Sequence, residues 1–94
     1  MLAYWIGRVN VTNPDGYAKY AALAGPAIQK HGGKFLARGG KTETLEGTSY
    51  ARNVLVEFES LEKAVACYNS PEYAEALKHA KPSATRDIIV VEGV

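Results

Sequence analysis

Residues 52–59, RNVLVEFE, run directly into residues 60–79, SLEKAVACYNSPEYAEALKH. The first segment is rich in β-branched and aromatic side chains and reads as a strand. In the second, Leu61, Ala64, Val65 and Tyr68 recur at helical spacing. Ser60 stands where a helix cap is needed, and Glu62 falls in the positive first turn. Ser70-Pro71-Glu72 has the form of another cap, so the helix is expected to break there and restart. Tyr73, Ala76 and Leu77 then line its second piece. Residues 82–85 read as a loop and residues 87–92, DIIVVE, as a further strand.

The first half of the chain has the same layout. Residues 2–11, LAYWIGRVNV, form a strand that stops at Asn13-Pro14, a good cap followed by a residue suited to the first helical position. Tyr17, Tyr20, Ala21, Ala24, Ala27, Ile28 and His31 then share one stripe of a helix over residues 14–31. Gly25-Pro26 lies inside that stripe. Proline removes a backbone hydrogen bond, so the helix is expected to kink or split there. Gly32-Gly33 ends it, and residues 34–38 form the second strand. Gly39-Gly40 suggests a bulge or bend. The polar residues 41–50, turning at Gly47, read as a hairpin arm projecting from the sheet. The pattern is βαββαβ over a single expected domain, residues 1–94, although the two halves are not a sequence repeat.

Two helices cover only one face of a four-stranded antiparallel sheet, and the other face should then alternate to polar residues. Here it largely does not. Val54-Leu55-Val56, Ile88-Ile89-Val90-Val91 and Leu2-Ala3-Tyr4-Trp5-Ile6 are apolar at both parities. A bare apolar face of that size invites aggregation, and the economical way to cover it is a second copy packed by two-fold symmetry.

A chain of 94 residues buries a modest core and is helped by association. A net charge of +1 and the lack of any long basic run argue against nucleic acid and anionic membrane surfaces as partners. The lone Cys67 excludes an internal disulfide and suits a reducing compartment. The apolar start lacks the features of a signal peptide, and no apolar run approaches the roughly 18 residues of a membrane span. A cytoplasmic protein is expected.

Several segments together resemble the domain of unknown function 1330 family. They are GGKFLARGG at 32–40, LEG at 45–47, VLVEF at 54–58, YNSPEY at 68–73 and TRDIIVVEG at 85–93. The resemblance covers nearly the whole chain. It implies an α+β, ferredoxin-like protomer with strand order 4-1-3-2, paired into a dimeric α+β barrel. Relatives in that superfamily include cofactor-independent monooxygenases, small isomerases, haem-binding enzymes and ligand-sensing domains. The resemblance therefore implies fold and dimer, and no particular reaction.

Glu57 interrupts an apolar strand expected to be central, and a buried carboxylate needs a partner or a raised pKa. In the implied strand order Arg8 and Arg38 are the nearest cations, and a turn near Gly47 sets Arg38 about opposite residues 57–59. Glu57 and Arg38 are thus the candidate catalytic pair, with Glu57 as general base or ligand-orienting carboxylate. The alternative is a structural ion pair at the dimer interface. Arg38 and Arg52 flank the arm and suit a carboxylate or phosphate held bidentately, or else solvated strand ends. Tyr20, Tyr68 and Tyr73, with Tyr17, fall on core-facing stripes. They suggest an aromatic-lined pocket between helices and sheet, or ordinary core with hydroxyls at the rim. His31 and His79 sit near helix C-termini, where the helix dipole favours them. They make no metal site, and no metal or other cofactor is expected. Cys67 has no base at a recognisable spacing and reads as a packed thiol. The function expected is binding of a small organic molecule between sheet and helices. A cofactor-independent enzyme or a non-catalytic binding or interaction module would both fit.

Overall fold

The computed structural model describes all 94 residues. The elements are β1 (Ala3–Val11), α1 (Pro14–Lys30), β2 (Lys34–Arg38), β3 (Arg52–Phe58), α2 (Leu61–Tyr68), α3 (Pro71–Ala80) and β4 (Ala84–Glu92). The strands form one antiparallel sheet in the order β2-β3-β1-β4, as expected. No helix is long and apolar enough to cross a membrane.

Side-chain oxygens set the helix boundaries. Asn13 accepts from the Gly16 amide at 3.2 Å and Ser60 from the Lys63 amide at 3.1 Å. Ser70 serves two helices at once: its Oγ donates to the Cys67 carbonyl at the end of α2 and accepts from the Tyr73 amide at the start of α3. With Pro71 at the first helical position, the expected break falls at Ser70.

Three local expectations differ from the structure. Helix α1 does not split at Gly25-Pro26, its helical span continuing to Lys30. Both Pro26 and Ala22, whose carbonyl loses its partner, lie on the exposed side, so water can take up the freed acceptor. Strand β4 begins at Ala84, not at Asp87, because Val11 pairs with Ala84 and extends the ladder; only Lys81, Pro82 and Ser83 lie in the turn before it. The buried Ser83 carbonyl accepts from the Thr12 and Asn13 amides and closes that end. The segment 39–51 contains no strand, so the arm is a loop and not a paired hairpin. Its returning leg is tied to β1. Arg8 donates to the Thr48 carbonyl and Asn10 to the Ser49 carbonyl, while the Ala51 amide donates to Asn10 Oδ1.

Alternation along β1 divides the sheet cleanly. Ala3, Trp5, Gly7 and Val9 are buried under the helices, while Tyr4, Ile6, Arg8 and Asn10 face the other way. The core gathers around Trp5, which stacks on Phe58 at 6.0 Å and meets Tyr73 edge-on at 5.2 Å. On the uncovered face, Ile89, Ile6, Leu55 and Ala37 pair into a row crossing all four strands.

Gly33 is packed where the chain leaves α1. A Cβ there would meet Ile28 Cγ2 at 2.5 Å and Phe58 Cζ at 2.9 Å. Gly33→Ala should therefore lower stability by about 1–3 kcal/mol through overpacking. Pro71→Ala should cost less than about 1 kcal/mol, since that position gives up no helix hydrogen bond. Denaturant unfolding of the two variants checks both, and comparable losses would contradict this account.

Candidate functional site

Two rows of the helix-covered face carry the polar groups. Arg52, Val9 and Arg86 are paired neighbours across β3, β1 and β4. Arg38, Val54, Gly7 and Ile88 make the next row. Gly7 leaves a hollow at the centre of the sheet, and the small residues Ala21, Ala24 and Gly25 of α1 pass over it. A narrow cleft lies between; it reaches about 420 Å3 only when the open solvent at its mouth is counted, and its free interior holds only about a water or two. Trp5, Val9, Ile28 and Phe35 supply apolar walls, and Tyr17, Tyr20, Arg38 and Arg52 supply polar groups. The Arg38 guanidinium stacks on the Phe35 ring at 4.1 Å and lies against Gly25, where a Cβ would stand 2.8 Å from its Nη2. Arg52 lies against Gly39 in the same way.

Behind the cleft is a buried polar network. Arg86 donates to the Tyr73 hydroxyl at 3.0 Å, the Tyr73 and Tyr20 hydroxyls share a hydrogen bond of 2.7 Å, and the Arg86 guanidinium stacks 4.6 Å from the Tyr20 ring. Arg86 Nη1 is buried without a partner. Burial pushes the Tyr17 and Tyr73 phenols above the usual phenol range. The nearby Tyr20 oxygen adds to this, and the Arg86 charge opposes it. Arg52 also acts on Tyr17, so that hydroxyl lies under the influence of both arginines.

The residues singled out in the sequence separate into distinct places. Arg38, Arg52 and Tyr20 line the cleft, and Tyr73 lies fully buried behind it. Tyr68 is 36% exposed at the end of α2. It borders a separate shallow hollow with Leu77, Lys81 and Arg86, so it is not a wall of the cleft. The expected pairing of Glu57 with Arg38 does not occur. Glu57 alternates with the buried Val56 and Phe58 and so faces the uncovered side, opposite Lys34 and Tyr4. Arg38 pairs with Val54 on the helix side, because a bulge between Phe35 and Ala37 shifts the register. Nor does Arg8 serve Glu57: its Nε donates to Asn53 and its guanidinium stacks on Tyr50.

Arg86 is a site residue that the sequence reading passed over. Its signal was alternation: once the strand starts at Ala84, residues 84, 86, 88 and 90 share the core face. Elsewhere, His31 approaches Glu72 at 3.4 Å beside Lys30, tying the end of α1 to the start of α3. Burial pushes the Cys67 thiol up to about 11, so little thiolate forms near neutrality. No group of three or more His, Cys, Asp or Glu side chains comes together.

A four-stranded antiparallel sheet in this order, with its helices on one face and a cleft beneath α1, defines a ferredoxin-like α+β protein. The chain belongs to the domain of unknown function 1330 family, whose model matches residues 2–94. Among curated proteins no sequence matches it. Among solved structures it is similar to the RPA0582 protein of unknown function from Rhodopseudomonas palustris. That match has a TM-score of 0.79 and 22% identity, over 99% of this chain and 82% of the other. It is also similar to SnoaB, a cofactor-independent oxygenase from Streptomyces nogalater (TM-score 0.68, 12% identity, 99% and 93% covered). A dimeric ferredoxin-like protein of unknown function from Bacteroides fragilis NCTC 9343 gives a TM-score of 0.66 at 12% identity, with 98% and 96% covered.

The raised phenols carry a pH consequence. Tyr17 and Tyr73 hold their protons more tightly in the folded state than in the unfolded chain. The stability this gives is complete below about pH 10, the ordinary tyrosine value, and is lost as pH rises beyond it. A spectrophotometric titration of the six tyrosines should show a late phenolate step that coincides with loss of the near-ultraviolet dichroism of Trp5. Tyr73→Phe should remove one phenol from that late step. Ionisation of all the tyrosines with the fold intact would contradict the assignment.

Proposed function

We propose that this protein is a homodimer, each protomer a single domain that binds a small organic molecule in the cleft between α1 and the sheet. The observation that carries the binding reading is the cleft itself. Apolar and aromatic walls meet a few convergent polar groups over a sheet position with no side chain. Arg38, Arg52 and Tyr20 are the residues we assign to ligand contact, with Tyr73 supporting Tyr20 from behind. Tyr68 and Glu57 fall outside this assignment.

The dimer reading rests on the uncovered face. Ile89 and Val91 are 57% and 46% exposed in the protomer, and Ile6 and Leu55 continue the same apolar row. Polar pairs flank that row, Arg8 with Asp87 on one side and Glu57 with Lys34 on the other. This is the pattern of an apolar interface centre with a polar rim. The similar protein from Bacteroides fragilis is described as dimeric. The unpaired, buried Cys67 suits a reducing cytoplasm.

A cofactor-independent enzyme is the second reading. It is favoured by the hydrogen-bonded Tyr20 and Tyr73 beside a buried guanidinium, and by the likeness to the SnoaB oxygenase. Oxygen uptake with a panel of small quinols, compared with heat-denatured protein, separates an oxygenase from a binding module.

Sedimentation at low micromolar concentration should give twice the 10.1 kDa chain mass, and Ile89→Lys should shift it toward the monomer. A folded monomer for the unaltered chain would defeat the dimer reading. Fragment titrations followed by NMR should move the Gly7 amide and Trp5 indole resonances. Ala21→Leu, at a half-buried position of the cleft wall, should weaken those shifts at least about tenfold without unfolding the protein. Fragments that perturb only surface amides would defeat the cleft reading.

A further inference from the structure

We infer that the molecule taken by the cleft is a small organic anion with a flat apolar body, such as an aryl carboxylate. The inference deepens the binding reading and rests on it. Three arginines meet on the helix-covered face with nothing to neutralise them. Arg38, Arg52 and Arg86 take part in no salt bridge; every such pair in the protein belongs to a lysine or histidine. No Asp or Glu lines the cleft. Neither Arg38 nor Arg52 donates a side-chain hydrogen bond within the protein, while Arg86 keeps one buried nitrogen unused. Arg38 is exposed and Arg52 half-buried, so both are free to turn to an anion at the cleft mouth, while the unpaired buried nitrogen of Arg86 is costly unless a partner joins it.

The tyrosine network points the same way. A guanidinium only donates, so the Tyr73 oxygen is the acceptor from Arg86. Tyr73 is fully buried, and Tyr20 is the one side-chain oxygen within reach of its proton. If Tyr20 donated to Tyr73 instead, the Tyr73 proton would have no acceptor, an arrangement that buried hydroxyls avoid. Tyr73 therefore donates to Tyr20, and the Tyr20 proton is left over. Tyr20 is the member of this chain that lines the cleft. Of the polar side chains lining the cleft, Arg38 and Arg52 only donate, the Tyr20 hydroxyl is left a donor backed by the Arg86 charge, and the Tyr17 hydroxyl can donate or accept. That set favours the charged, bidentate oxygens of a carboxylate over the single carbonyl oxygen of a neutral amide. Trp5, Phe35 and Ile28 would flank a flat hydrocarbon body once α1 shifts outward to admit it, since the closed cleft holds only about a water or two.

Trp5, the single tryptophan, lines the cleft and reports occupancy by fluorescence. The probes are benzoate and 2-naphthoate against benzamide and 2-naphthamide, titrated to about 20 mM. The carboxylates should bind at least about tenfold more tightly than their amides. Arg52→Gln, Arg38→Gln and Tyr20→Phe should each reduce that ratio severalfold. Arg86→Met tests the buried charge. It leaves the Tyr20–Tyr73 bond in place but removes the tie from β4 to Tyr73, so Tm should fall and, in protein that remains folded, the carboxylate preference should fall as well. A purely structural arginine would lose Tm with the preference unchanged, and that result would overturn the role given to Arg86. Equal binding of carboxylates and amides would overturn the anion inference and leave the cleft reading standing. No saturable response to either series would overturn both.

Discussion

A positive charge held under phenol rings is the constraint around which this protomer is organised. Arg86 comes from β4, Tyr73 from α3 and Tyr20 from α1, so one short chain of hydrogen bonds joins the last strand to both α1 and α3. Moving any of the three elements would strand a guanidinium or a phenol in an apolar core, which is costlier than losing an exposed contact. The aromatic packing follows this arrangement. Tyr73 meets Trp5, Tyr68 and Tyr20 within 6.0 Å, and Tyr20 meets Tyr17. The helices are therefore set at a fixed height over Gly7, and the cleft is the space that remains.

Much of this architecture was legible because it depends on local rules. The caps at Asn13, Ser60 and Ser70 need only a short polar side chain before a helical stripe. The two-sided apolar character of the strands is a matter of parity, and parity survives an error of a residue at either end. The similarity to a known family added the strand order, which no local rule supplies.

The candidate site was less legible, for reasons that can be located. Its residues come from β2, β3, β4 and α1, so each assignment depends on register between strands far apart in sequence. Turn counting set Arg38 opposite residues 57–59, three to five positions from its partner Val54, and the bulge after Phe35 turned it to the helix-covered face. Arg86 was hidden by a strand start misplaced by three residues, which left its face undetermined. The extra pairs at Ala84, Thr85 and Arg86 arise from a tertiary contact with Val11, Asn10 and Val9. No property of residues 84–86 read alone announces them. The freedom of α1 to continue through Pro26 is likewise a fact about which side faces water.

The bulge in β2 also acts as a phase shifter. Lys34 and Phe35 stand opposite Glu57 and Val56, and Ala37 and Arg38 stand opposite Leu55 and Val54. Leu36 is therefore the residue in excess, one more than the ladder needs. Unbroken pairing that retained it would carry Arg38 opposite Asn53, onto the face assigned to the partner subunit. Loss of Leu36 would leave the arginine's side of the sheet unchanged. The same irregularity lies on an outer strand, with Leu36 46% exposed at the rim. A kinked, five-residue border is a poor template for a further strand. Growth of the sheet sideways into a filament is thereby discouraged at this border, and stacking through the flat face is left as the easier way for two copies to meet.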